Sequence, residues 1–272
     1  MKKVLILIIS LMLGNILPAL AKSHGASSRT DHGQSQQNSE LSVYFKDGSL
    51  CTPISSPYAS TTRYDGSLRK EAGVDGNKHG GIDLSLDEGT PLLAVASGKV
   101  FSVGEGSMKE GIYIWLLHLP EDTGLSFGFL TKYQHLNEKP KLQSGVQIKA
   151  GQIIATSGKT GTLGGHYGSF GYPHLHLTIR FIHDDKIGLA AQKKNDFLIV
   201  RDTTIIDPLI LYIPNIKVPG DSASLVGDKR KLSVAYVDSS GKIIPPTAKF
   251  VWPVACRWRL STFFPWIELN AK

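Results

Sequence analysis

The chain has only two cysteines, Cys51 and Cys256, among 272 residues. That scarcity excludes a cysteine-rich structural zinc site and a disulfide-dense scaffold. It leaves two readings open: one disulfide tying the C-terminal part back to the start of the folded region, or two free buried thiols. An amphipathic helical run of ten residues or more is also missing; "IGLAAQKKNDFL" comes nearest. Beyond residue 21 no apolar run reaches the roughly 20 residues that span a bilayer. No nucleic-acid-binding motif is present. "SGKTGT" is not a phosphate loop, because the first glycine of that motif would fall at Ile153.

The first 21 residues, "MKKVLILIISLMLGNILPALA", place Lys2 and Lys3 before an apolar run that ends in small residues. This is the form of a secretory signal peptide, with cleavage expected after Ala21. Gly14, Asn15 and Pro18 interrupt the run and argue against a membrane anchor, and no cysteine follows to carry a lipid. The expected location is therefore outside the cytoplasm: periplasm, cell envelope or medium. Residues 22–40 are polar and rich in Ser, Gly and Gln, as a flexible linker is. His24 and His32 within it read as isolated linker histidines.

The net charge of +7 is unevenly placed. Residues 22–215 carry 19 basic and 19 acidic side chains, whereas residues 216–272 carry 9 basic and 4 acidic. A basic tail suits weak attraction to an anionic polymer or a membrane surface, or it is a solvated surface with no partner. The last stretch, "RWRLSTFFPWIEL", is unusually aromatic and is expected to dock on something.

From Leu41 short apolar runs are broken by Gly, Pro, Asn and Asp, the punctuation of an all-β domain. "TPLLAVASGKVFSVG", "GIYIWLLHL", "FLTKYQHL", "GQIIATSG" and "HLHLTIRFI" each predict a strand. In "GIYIWLLHL" apolar residues occupy both parities, which predicts a strand covered on both faces. "IIDPLILYIP" closes the domain near Pro214, and a hairpin is expected around Ser239-Ser240-Gly241.

Within "YPHLHLTIR", His174 and His176 lie on one face of an extended strand, about 6.5–7 Å apart. Thr178 and Arg180 share that face, while Leu175, Leu177, Ile179 and Phe181 take the other and build the core. Both imidazoles can bind one metal, or one can bind while the other reaches a water; a merely solvated polar face is the third reading. In "NKHGGIDLS", His79 and Asp83 stand four apart, and Gly80, Gly81 and Ile82 disfavour a helix there. An extended segment also keeps these two on one side. Imidazole nitrogen and carboxylate oxygen both suit zinc, and three such ligands with an open position mark a hydrolytic site. His135 in "KYQHLN" reads as a core histidine inside a strand. His118 reads as structural, and His166 as an exposed loop residue.

"HGGIDL", "YQHL" and "HLHL", in that order, with "GTPLLAVASGKV" after the first and "GVQIKAGQIIATSGKTG" before the last, resemble the lysostaphin-type (LytM-like) zinc metallopeptidases. The resemblance covers roughly residues 55–212. It implies an all-β fold of antiparallel sheets around a groove, one Zn2+ per chain held by His79, Asp83 and His176, and His174 as catalytic acid/base. It makes His135 the partner of His174 at the metal-bound water or the developing oxyanion. The implied activity is an endopeptidase cutting cross-links or stem peptides of peptidoglycan, a wall that a basic tail would meet favourably. Two alternatives remain beside it. One is a non-catalytic regulator of a wall amidase, although such relatives lose zinc ligands that this chain keeps. The other is a metallopeptidase of secreted proteins. The loop "GTLGGHYGSFGYPH" is longer than the approach to the histidine pair usual in that family. The expected organisation is a signal peptide (1–21), linker (22–40), peptidase domain (41–214) and C-terminal extension (215–272).

Overall fold

Alternation of side chains along short strands governs the architecture. The computed structural model describes residues 41–69, 78–106, 109–162, 171–183, 191–194, 197–200, 203–217, 219–220 and 230–257. The expected signal and linker segments, His166 and the aromatic end after Arg257 lie outside them.

The strands in chain order are β1 (Ser42–Tyr44), β2 (Ile82–Ser85), β3 (Pro91–Leu93), β4 (Gly98–Glu105), β5 (Ile112–His118), β6 (Phe129–Gln134), β7 (Gln147–Ile148) and β8 (Ile153–Thr156). They continue as β9 (His174–Ile182), β10 (Ala191–Lys194), β11 (Phe197–Val200), β12 (Thr203–Ile206), β13 (Lys231–Ser233), β14 (Tyr236–Val237) and β15 (Ile243–Ile244). Among the described residues one short α-helix, α1 (Pro120–Thr123), and two 3-10 turns complete the set. The protein is thus all-β, as its punctuation predicts.

Seven strands form the main antiparallel sheet in the order β12-β9-β6-β5-β4-β7, with β2 also on β9. One edge of β9 is divided: His174–Leu177 pair with β2, and Ile179–Ile182 pair with β12. Its other edge pairs with β6. On one face Leu84, Ile114, Leu116, Phe129, Tyr133, Leu175, Leu177 and Ile179 join the main core. On the opposite face of β5 and β6, Tyr113, Trp115, Leu117 and Leu130 form a second cluster with Ile182. The central strand β5 is therefore covered on both sides, as its two-parity pattern requires.

Two expectations change. "TPLLAVASGKVFSVG" is two strands, β3 and β4, which belong to different sheets. The segment nearest to a helix, "IGLAAQKKNDFL", instead supplies parts of the antiparallel pair β10-β11.

The expected hairpin at Ser239-Ser240-Gly241 forms between β14 and β15. The Asp238 carboxylate accepts the backbone N–H groups of Ser240 and Lys242, and Gly241 takes the left-handed φ of 82° that the turn needs. The core continues past Pro214: Leu232, Val234, Tyr236, Trp252 and Val254 belong to it, and Trp252 is fully buried. Strand β13 pairs in parallel with β1, the parallel exception to the antiparallel pairings. Cys51 and Cys256 are disulfide-bonded, which selects the first of the two cysteine readings.

Candidate active site

The face of β9 opposite the main core carries His174, His176, Thr178 and Arg180 into a groove of about 380 Å3. Register brings the rest of the site to it. Asp83 on β2 sits directly across from His176, and Gln134 on β6 flanks His176 from the other side.

His79 precedes β2 and is fixed by its own backbone: its N–H donates to the Ser60 carbonyl, and its carbonyl accepts from Ala59. Gly81 lets this segment approach β9, because a Cβ there would fall 2.3 Å from the Leu177 carbonyl oxygen. The result is a convergence of three donors of electron pairs. His79 Nε2 lies 3.1 Å from Asp83 Oδ1 and 3.0 Å from His176 Nδ1, and His176 Nδ1 lies 2.8 Å from Asp83 Oδ1.

Hydrogen bonds assign the tautomers. His79 Nδ1–H donates to the Pro57 carbonyl at 2.9 Å, His135 Nδ1–H to Thr160 at 2.7 Å, and His174 Nδ1–H to Tyr172 at 2.8 Å. Each of these rings is left with a lone pair on Nε2. His176 is reversed: Nδ1 faces Asp83, and Nε2–H donates to Thr178 Oγ1 at 3.0 Å.

Burial favours neutral rings. It pushes the His176 imidazolium down to about 4, with Asp83 partly opposing. Burial, aided by His174 and His176, pushes His135 down to about 3. Burial alone would raise the Asp83 carboxyl, but the imidazoles of His79 and His176 hold it well below the usual carboxylate range.

His79, Asp83 and His176 thus form a group able to hold a metal ion, their ligand atoms all within 4.8 Å of one another. The fit rests on donor chemistry. The lone pair of His79 Nε2 and the anionic Asp83 Oδ1 are both acceptors, and a cation between them is what such a contact accommodates. His174 stands at the edge of this group, its Nε2 3.8 Å from Asp83 Oδ1. His135 packs beside His174, with ring centroids 4.5 Å apart.

Contrary to the expectation of a histidine inside a strand, His135 follows the end of β6 with φ 62°. Continued alternation would send it to the core side with Tyr133; the left-handed turn swings it to the groove instead. His118 behaves as a structural residue. It is buried, donates from Nδ1 to the Ser97 carbonyl and accepts at Nε2 from Thr131 Oγ1.

Residue patterns alone missed Arg69, whose Nη2 reaches Asp83 Oδ2 at 3.2 Å and Ser56 Oγ at 2.8 Å. They also missed Lys132 and Trp115 on the groove floor and Tyr172, which stacks on His174 at 4.7 Å.

Residues 77–188 match the model of peptidase family M23, a span that contains His79, Asp83, His135, His174 and His176. An uncharacterized metalloprotease of Haemophilus influenzae is 27% identical over 71% of this chain and 31% of its own length. Lysostaphin of Staphylococcus simulans is 36% identical over 39% of this chain and 18% of its own length. Murein hydrolase activator NlpD of Salmonella dublin is 26% identical over 60% of this chain and 43% of its own length. The chain therefore spans less than half the length of each of these three relatives.

Proposed function

Starting from a chain whose residues 77–188 are a peptidase family M23 domain, we propose that the protein is a zinc metalloendopeptidase. Its substrate on this reading is the cross-link or stem peptide of peptidoglycan. The observation that carries the proposal is the meeting of His79 Nε2, Asp83 Oδ1 and His176 Nδ1 at mutual distances of 2.8–3.1 Å, with the imidazoles of His174 and His135 beside them.

His79, Asp83 and His176 would hold the ion. Bound there, zinc supplies a Lewis acid for the scissile carbonyl and makes hydroxide available near neutral pH. His174 acts as the base and then the acid. Its Nδ1–H stays on the Tyr172 carbonyl, so Nε2 is free to take a proton from water and later deliver it to the leaving amine. His135, with Nδ1–H committed to Thr160, offers an acceptor at Nε2. That tautomer suits it to orient the attacking water, so between the two roles the resemblance allows we assign the water.

The catalytic unit is taken as residues 41–214 braced by the segment after it, and the leader-like N-terminus makes the cell envelope or medium its place of action. A second reading is a non-catalytic regulator of a wall amidase, and the relative named as a murein hydrolase activator favours it. Purified protein incubated with peptidoglycan, with and without a zinc chelator, separates the two. The enzyme reading predicts peptide-bond cleavage that the chelator stops, seen by mass spectrometry of released fragments. Zinc-loaded protein that releases nothing alone, yet stimulates a wall amidase, contradicts it.

A further inference from the structure

The groove extends along β9 beyond the candidate metal centre, and its floor is cationic. The register aligns Trp115 on β5, Lys132 on β6 and Thr178 on β9 in one row, two residues from His176. Arg180 follows two residues further, on the same face. At strand spacing these rows lie about 7 and 13 Å from His176 along β9.

The Lys132 side chain is 9% exposed and its Nζ lies 4.7 Å from the Tyr113 ring centroid and 5.3 Å from that of Trp115. Its charge is answered by Glu110, whose carboxylate contacts Nζ. Burial, then the neighbouring Arg180, push the Lys132 ammonium down to about 7.

Arg180 is different. Its Nε donates to Thr203 Oγ1 at 2.7 Å and its Nη2 to the Thr203 carbonyl, so one edge of the guanidinium is anchored to β12. Nη1 has no hydrogen-bond partner among the described residues, and no carboxylate among them pairs with this half-buried guanidinium. Arg180 is therefore a groove cation that no described carboxylate answers, on a side chain fixed in place with donors to spare. Arginine in that state is suited to a carboxylate.

We propose that Arg180, backed by Lys132, forms an anion subsite that binds a free carboxylate of the peptide substrate about two to four residues from the scissile bond. This rests on the peptidase reading of the same groove and adds to it a substrate class, peptides carrying a free carboxylate on one side of the cut. Thr203 is a positioning residue for the guanidinium.

The test uses a soluble stem peptide from digested peptidoglycan with its carboxylates free, and the same peptide with those carboxylates amidated. Binding of each, fluorescently labelled, is measured by anisotropy on the wild type, Arg180→Gln and Arg180→Lys, with cleavage followed in parallel by mass spectrometry. The wild type should prefer the free carboxylate by about 10- to 100-fold, the worth of one charge-assisted hydrogen-bonded pair. Arg180→Gln should bind both peptides alike, and Arg180→Lys should keep part of the preference. Equal binding of the two peptides by the wild type, or full preference retained by Arg180→Gln, overturns the subsite. Preference in binding without cleavage by the wild type would support the subsite and count against the peptidase reading; cleavage without preference would do the reverse.

Discussion

The guanidinium of Arg69 lies 3.2 Å from Oδ2 of Asp83, while Oδ1 of the same carboxylate lies 2.8 Å from His176 Nδ1. The two oxygens thus have separate duties: one is held from behind, the other faces the imidazoles. Partners of this kind orient metal ligands, and their loss typically costs 10–100-fold in metal affinity. Arg69→Gln is expected to weaken zinc binding by about that factor, measured by competition with a chromophoric chelator. Unchanged affinity would show that Asp83 needs no such support.

Gly81 sits where β2 meets β9, with the Leu177 carbonyl 2.3 Å and the His176 ring 3.1 Å from the place a Cβ would occupy. Gly81→Ala must push backbone away from backbone. A loss of about 1–3 kcal/mol in unfolding free energy is expected, together with weaker zinc binding, from urea titration and metal competition. A variant as stable as the wild type would mean that the two strands can separate freely at this point.

His118 gives the protein a pH dependence away from the site. Burial pushes its imidazolium down to about 4, only partly opposed by the Ser97 carbonyl and by Asp122, against about 6.5 in the unfolded chain. The folded state binds this proton less well, so the stabilising contribution is complete above pH 6.5 and is lost as pH falls towards 4. The loss amounts to about 3 kcal/mol. Urea midpoints of the wild type should fall more steeply than those of His118→Gln across this window, and parallel curves would refute the assignment.

The disulfide Cys51–Cys256 closes a loop with a sequence separation of 205 residues and joins the entry to the folded region to the end of its core. Replacing both residues by serine is expected to cost about 2–5 kcal/mol. Denaturation of the oxidised wild type against the double variant measures it; equal stability would make the bond incidental.

Much of this was written in local sequence. Both-parity apolar runs gave β5, and the alternation in "HLHLTIRFI" divided β9 correctly between core and groove. What the local patterns did not carry depends on pairing between distant strands. Lys132 and Trp115 become groove residues only once β5, β6 and β9 are in register. Arg69 belongs to a segment without any period, and it matters only because the fold returns it to Asp83. His135 was misplaced for a different reason: a single left-handed residue ends β6, and nothing in "KYQHLN" marks that turn. The parallel pairing of β1 with β13 joins segments at opposite ends of the described chain, beyond the reach of periodicity.

The proposed division of labour between the two histidines of β9 is tested most directly by zinc content. Purified wild type, His176→Ala and His174→Ala are dialysed against the same zinc buffer, and bound metal is measured by mass spectrometry alongside turnover on peptidoglycan. One zinc per chain in the wild type and in His174→Ala is expected, with turnover lost in the latter and both metal and turnover lost in His176→Ala. Full zinc content in His176→Ala, or full turnover in His174→Ala, would contradict the account.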